Sequence, residues 1–502
     1  MGCQMNVLDS ELVMGQLLRM GYEPISEMVA ADLVLINTCS VRDHAEHKAL
    51  SYLGELRKPK ERNPEMIVGV IGCMAERDGV DIFRKAPHID LLCGPGELNK
   101  IPALIEDVLA RRGPLSECAT KPKRSVALAE SLSRRSSVLD RALEFDSVEA
   151  LDMSRTPEPG TDTLQSYIRV QRGCDKFCTF CVVPFTRGPE RSRPPQQIVD
   201  EAKMLVDHGA REVTLLGQTV NSYMHQDNGS PVSFADLLER VNDVVGIDRV
   251  RFVTSYPGDW TNDIFEAMRD LPNVCEYLHL PVQSGCDHVL QRMRRQYTVA
   301  QYDDLVHRAR EIVPNITLAT DLIVGFCGET DEEFDRTLAL VERSRFKNVF
   351  VFKYSARPGT VADKRMADDV PDAVKRRRNQ ELLALQGKIG LENNLGYVGQ
   401  TYEVLVEGYS KSAVKARNEM SDPSQREDAL DYGVDRYRPV NQLTGRTRMD
   451  NIVVFDGDAS LKGRLAQVRI TRATALTLHG EIVSVEDDVR PVPLTMALPV
   501  VA

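Results

Sequence analysis

The chain has 502 residues, 42% hydrophobic and 27% charged, a globular composition too long for one ordinary core, so two or three domains are expected. No apolar run approaches the roughly 18 to 20 residues that span a bilayer, and the polar, acidic start has no secretory pattern, so the chain reads as cytosolic with no membrane partner. A net charge of −11 excludes attraction of the whole molecule to nucleic acid and leaves only a local basic patch for that purpose.

In chain order, "SELVMGQLLRMG" has helical apolar spacing. "DLVLINTC" (32–39) and "MIVGVIGC" (66–73) are β-branched apolar runs, each ending in a cysteine, with helical "SVRDHAEHKALSYLGEL" between them. This alternation predicts an N-terminal parallel α/β domain over 1–117, with both thiols at the strand ends where ligands gather in such sheets. Residues 118–163, rich in Ser, Arg and Glu and ending "SRTPEPGTDT", read as a linker.

From 164 to 395, "YIRVQ", "EVTLLG", "RVRFVTS", "EYLHLP", "ITLATDLIVGF" and "NVFVFKYS" alternate with helical stretches, which predicts a partial (β/α)6 barrel. Polar or small residues follow the strands at Cys174, Gln218, Ser255, Gln283, Gly325 and Arg357, where a barrel active site belongs. "KRRRNQELLALQGKIG" closes the region as a helix. Over 396–487, "YEVLVEGYS", "NIVVFDG" and "GRLAQVRITRAT" predict a small β-barrel, with 411–440 irregular and 488–502 a tail.

Eleven cysteines in a reducing compartment point to metal ligation or catalysis in preference to disulfides. In "RGCDKFCTFCVVPFTRGPERSRP" (172–194), Cys174, Cys178 and Cys181 form C-x3-C-x2-C. That spacing also suits a buried helix face, but a preceding strand, Gly173 and Pro184 favour an irregular loop. A closed zinc site wants four ligands, and no fourth lies nearby; a 4Fe-4S cluster on three thiolates keeps one iron open to a substrate or cofactor.

This motif, with Phe180 before its last cysteine and a βα barrel after it, resembles the radical S-adenosylmethionine superfamily. The resemblance implies that the open iron chelates S-adenosylmethionine and that the cofactor is cleaved to a 5′-deoxyadenosyl radical. Gly217 and Gln218 resemble the loop that takes the cofactor's amino group, and Asp321, Lys353 and Arg357 are further pocket candidates by motif.

Cys3, Cys39 and Cys73 are far apart in sequence and read most plainly as small core residues. However, "GCQMN", "INTCSVR" and "GVIGCMAER" each place a cysteine at a turn into a helix, where free amides and the helix dipole favour a thiolate. These segments resemble the N-terminal domain of methylthiotransferases, and "LLGQTVNSY", "HLPVQSG", "DLIVGFCGET" and "FKYSARPGT" extend the likeness over nearly the whole chain. Within that group the cysteine loop most resembles the dimethylallyl-adenosine branch of the tRNA-modifying enzymes.

The resemblance implies two 4Fe-4S clusters. Cys174, Cys178 and Cys181 would hold the one that cleaves S-adenosylmethionine, and Cys3, Cys39 and Cys73 an auxiliary cluster that provides sulfur. It further implies a tRNA partner carrying N(6)-dimethylallyladenosine, a reducing electron donor, methylthiolation of adenine C2, and a C-terminal RNA-binding TRAM domain. Three features depart from the family pattern: the chain opens two residues before Cys3, Tyr256 stands where His is usual, and Cys327 where Pro is usual.

Cys93, Cys118, Cys275, Cys286 and Cys327 fit no ligand spacing. Arg172, Arg187, Arg191 and Arg193 are candidates for RNA phosphates or the cofactor carboxylate, and residues 445–472 carry six Lys and Arg against three Asp. The alternatives are a sibling methylthiotransferase, acting on threonylcarbamoyladenosine in tRNA or on a ribosomal-protein aspartate, and a noncatalytic iron-sulfur or zinc RNA-binding protein.

Overall fold

The computed structural model describes residues 2–40, 43–111, 124–128, 152, 155, 163–227, 229–421 and 440–486. Helix α1 (Gln4–Arg19) opens the chain, followed by strand β1 (Leu33–Thr38), α2 (Asp43–Arg62), β2 (Ile67–Gly72), α3 (Cys73–Asp78), β3 (Leu91–Cys93) and β4 (Ser125–Ala127). The four strands form one parallel sheet in the order β1-β2-β3-β4.

Both faces of this sheet are covered, which is why β2 is apolar throughout. Period-two alternation sends Ile67 and Ile71 to the side of α1 and the helix Ile101–Ala110, while Val68 and Val70 pack with Leu53 and Leu56 of α2. The stretch read as a linker departs from expectation: residues 125–127 are the fourth strand, and Asp152 is buried. Most of 118–163, including Cys118, and all of 488–502 lie outside the described residues.

Six parallel strands then run in sequence order: β5 (Gln165–Arg169), β6 (Glu212–Leu216), β7 (Arg249–Val253), β8 (Tyr277–His279), β9 (Thr317–Val324) and β10 (Asn348–Lys353). The two three-stranded halves meet where Val250 donates to Asn273 O (2.7 Å) and accepts from Cys275 N (3.0 Å). Capping boxes at Ser233, Thr298 and Thr330 start three of the outer helices. The resulting partial barrel presents every strand's carboxyl end on one side, and the N-terminal domain sits on that side.

The helix Asp372–Leu395 packs on β10 and leads into a closed five-stranded barrel of β11 (Thr401–Tyr409), β12 (Gln442–Thr447), β13 (Ile452–Asp456), β14 (Leu465–Ala473) and β15 (Leu478–Val485). Its turn at Thr447–Asn451 seats against the amino ends of the larger barrel: Arg251 donates to Thr447 O (2.8 Å) and Arg448 O (2.9 Å), and Thr317 Oγ1 donates to Met449 O (2.8 Å). The small barrel therefore lies opposite the carboxyl ends. In the segment read as irregular, Lys411–Ser421 is a helix and 422–439 lie outside the described residues.

Candidate metal and cofactor site

Cys174 to Cys181 run through an irregular loop, not a helix. A two-residue hairpin pairs Gln171–Arg172 with Arg191–Ser192, and Cys174 N donates to Gly188 O (3.2 Å). Gly173 makes the turn at φ +76°, where a Cβ would stand 1.9 Å from Pro189 O, so only glycine fits. Cys181 N donates to Cys178 O (3.1 Å) and Thr179 N to Met293 O (3.0 Å), which folds the loop back so that its three thiols face one space.

The second triad is assembled across the N-terminal sheet. Cys3 caps α1, Cys39 follows β1 directly, and Cys73 opens α3 directly after β2. Because β1 and β2 are neighbours in register (Thr38↔Gly72), Cys39 and Cys73 emerge side by side. Asn6 and Asn37 tie α1 to that edge: Asn6 Nδ2 donates to Asn37 Oδ1 (2.9 Å) and Thr38 O (2.8 Å), and Asn37 Nδ2 donates to Asn6 O (2.8 Å). The Cys3 thiol in turn donates to Asn6 Oδ1 at 3.1 Å.

Both triads open on one cavity of about 370 Å³ between the N-terminal domain and the carboxyl ends of the barrel strands. Gly217, Gln218, Asp321, Lys353 and Arg357 line the same cavity, and so does Arg187, whereas Arg172, Arg191 and Arg193 do not. Three of its buried oxygens, Ser40 Oγ, Gln218 Oε1 and Ser255 Oγ, have no hydrogen-bond partner among the described residues. Buried polar atoms of this kind are normally paired in a native fold, so these three are placed to bind water, an ion or a polar ligand.

Three family models match the chain: "Uncharacterized protein family UPF0004" over 1–94, "Radical SAM superfamily" over 168–341 and "TRAM domain" over 436–483. A tRNA-2-methylthio-N(6)-dimethylallyladenosine synthase from Rhodopirellula baltica is 46% identical over 97% of this chain and 95% of its own length. The chain belongs to the tRNA-2-methylthio-N(6)-dimethylallyladenosine synthase family. A synthase from Moorella thermoacetica is 42% identical over 96% of this chain and 97% of its own. Among solved structures, the radical S-adenosylmethionine methyltransferase TsrM from Kitasatospora setae is similar at a TM-score of 0.47 and 14% identity, over 71% of this chain and 74% of that one.

The electrostatics of this synthase-family cavity suit a cationic cluster. Burial pushes the Cys174 thiol up to about 11 and the Cys181 thiol up to about 12, and it also raises Cys73. Sulfurs so placed resist ionisation until a positive centre shares their charge, which is what metal ligation provides. Cys3 differs: a hydrogen bond with Cys39 draws its thiol down to about 6 against burial, with Arg187 helping.

Two of the four arginines read as anion contacts are held in buried ion pairs. Arg187 is buried on Asp9 (2.8 Å) beside the second triad, and Arg193 is buried on Glu201 (2.8 Å). Asp9 also pairs with Arg169 (3.3 Å), which joins α1 to β5. Arg172 is half-buried with its Nη1 lacking a hydrogen-bond partner among the described residues, and Arg191 is half-buried in the hairpin.

The positive excess over 445–472 is likewise partly spent inside the molecule: Arg446 pairs with Asp450 (2.8 Å) and Arg448 with Glu276 (2.8 Å). Cys286 and Cys327 pack with Val289, Met293 and Phe326 in a small buried cluster, and Cys93 and Cys275 are buried; none of the four lines the cavity. Residues the sequence reading passed over are Asn6 and Asn37, which dock Cys3, and Arg295, which lies 3.4 Å from Cys178 Sγ.

Proposed function

We propose that this chain methylthiolates adenine C2 of N(6)-dimethylallyladenosine in tRNA, giving the 2-methylthio derivative, as an enzyme of the cytoplasm. The observation that carries the reading is the meeting of two cysteine triads from two domains on one cavity. The names of its relatives, alike over nearly their full lengths, agree. When bound, two 4Fe-4S clusters and S-adenosylmethionine would supply radical C–H chemistry, a methyl group and sulfur, with the electron coming from a reducing donor.

The chain's own groups divide the work. Cys174, Cys178 and Cys181 offer one three-thiolate cradle, and Cys3, Cys39 and Cys73 offer the other. Gln218 Oε1, an unpaired acceptor beside the Gly217 turn, suits the amino group of S-adenosylmethionine. Lys353 and Arg357 suit its carboxylate, and Asp321, held 3.1 Å from His279, supplies a fixed acceptor. The N-terminal domain covers the cavity and keeps bulk water from reactive species.

We take residues 1–117 as the auxiliary-cluster domain, 164–395 as the radical domain and 396–487 as the RNA-binding domain. In the last, the exposed Arg469 and Arg472 on β14 are the candidates for phosphate contact. The test is anaerobic reconstitution followed by mass spectrometry of nucleosides from tRNA bearing the dimethylallyl group. Wild type should form the methylthio nucleoside. Cys174→Ala should lose S-adenosylmethionine cleavage, and Cys39→Ala should retain cleavage without sulfur insertion; unchanged cleavage in the Cys174 variant refutes the assignment.

A further inference from the structure

Arg295 lies 117 residues from Cys178 in the chain, yet its Nη1 donates to Cys178 Sγ at 3.4 Å. The rest of the guanidinium is pinned: Nη2 donates to Pro281 O (3.0 Å) and Nε to Tyr297 Oη (2.8 Å). Its carbon stands 4.7 Å from the centre of the Tyr256 ring and 5.1 Å from that of Tyr297. The two rings meet edge to face at 5.8 Å, and Tyr256 Oη accepts from Gln296 N (3.2 Å). Tyr256, which departs from the family pattern, is thus one wall of a cage that holds a cation against a cysteine sulfur.

Its partners among the described residues, Cys178 Sγ, Pro281 O, Tyr297 Oη and the two rings, include no carboxylate. Arg187, the arginine beside the other triad, is neutralised by Asp9 at 2.8 Å. The triad of Cys174, Cys178 and Cys181 therefore faces a guanidinium charge that no pH in the working range removes.

We propose that Arg295 is a positioning residue that raises the reduction potential of the cluster held by Cys174, Cys178 and Cys181, making that cluster easier to reduce. The inference rests on the cluster assignment proposed above. Reduction adds one electron from a low-potential one-electron donor and neither makes nor breaks a bond. A cation and an N–H donor at the ligand sulfur stabilise the extra negative charge, as hydrogen bonds to cluster sulfurs do generally.

The test uses the full chain carrying Cys3→Ala, Cys39→Ala and Cys73→Ala, reconstituted anaerobically so that one cluster remains. Iron content is measured first, followed by the midpoint potential, by electron paramagnetic resonance during titration with dithionite. Adding Arg295→Gln should make reduction at least tenfold less favourable, a shift of about 59 mV to more negative potential for one electron. Arg295→Lys, which keeps the charge at a different reach, should fall between the two. If the parent variant takes up no iron, the cluster assignment fails; if it takes up iron and the Gln variant does not shift, this inference fails alone. Should the Gln variant bind no cluster, the Lys variant decides, and an unshifted midpoint there overturns the inference.

Discussion

Gly173 and Gly188 provide a matched pair of perturbations on the cysteine loop. Both have left-handed backbone, at φ +76° and +78°, so alanine at either carries a conformational cost of roughly 1–2 kcal/mol. They differ in surroundings: an added Cβ at Gly188 meets nothing within 4 Å, whereas at Gly173 it stands 1.9 Å from Pro189 O. Reaching ordinary contact at 3.4 Å requires a backbone shift of about 1.5 Å next to Cys174. A displacement of ~1 Å at a reacting centre costs about a hundredfold in rate.

Gly188→Ala should therefore lower stability by roughly 1–2 kcal/mol in chemical denaturation and still take up full iron on reconstitution. Gly173→Ala should carry a larger stability penalty than Gly188→Ala, because its Cβ meets backbone atoms, and should lose most of the iron of that triad and at least a hundredfold in S-adenosylmethionine cleavage. If Gly173→Ala reconstitutes and cleaves like Gly188→Ala, the claim that this turn positions the first thiol is refuted.

Asp9→Asn should leave Arg169 and Arg187 without their shared carboxylate and lower apo-protein stability by about 3–5 kcal/mol in urea denaturation. Because the Cys3 thiol is drawn down to about 6, its thiolate predominates above that pH; alkylation of Cys3 in apo-protein, followed by peptide mass spectrometry, should be flat above about pH 7 and fall about tenfold per unit below 6. Cys39→Ala removes the hydrogen bond chiefly responsible and should move that midpoint upward. Arg448→Ala strips the contacts to Glu276 and Val274 O and should loosen the small barrel by about 1–3 kcal/mol, seen as earlier proteolytic release of the C-terminal domain.

The cysteine loop was legible because its three cysteines lie within eight residues, a separation at which chain geometry leaves few alternatives. Five of the six barrel strands were legible for a related reason, being runs of five or more residues that display their own period; β8 has only three, but the longer stretch around it, 276–281, marked it. β3 and β4, at three residues each, are too short for that, and β4 hid in a stretch whose composition is that of a linker. Charge misled for the same underlying reason. Arg187, Arg193, Arg446 and Arg448 look alike in sequence whether they face phosphate or a buried carboxylate.

Taken alone, then, the sequence determined the domain order, the strand and helix periods and the chemistry available at each cysteine, all properties of residues near one another in the chain. Only the tertiary structure decided which distant groups meet: Cys3 with Cys39 through Asn6 and Asn37, Asp9 with two arginines of the barrel, and Arg295 with Cys178. Those meetings depend on sheet register and domain docking, where the free energy comes from apolar burial that many sequences satisfy equally, so no local pattern encodes the partner.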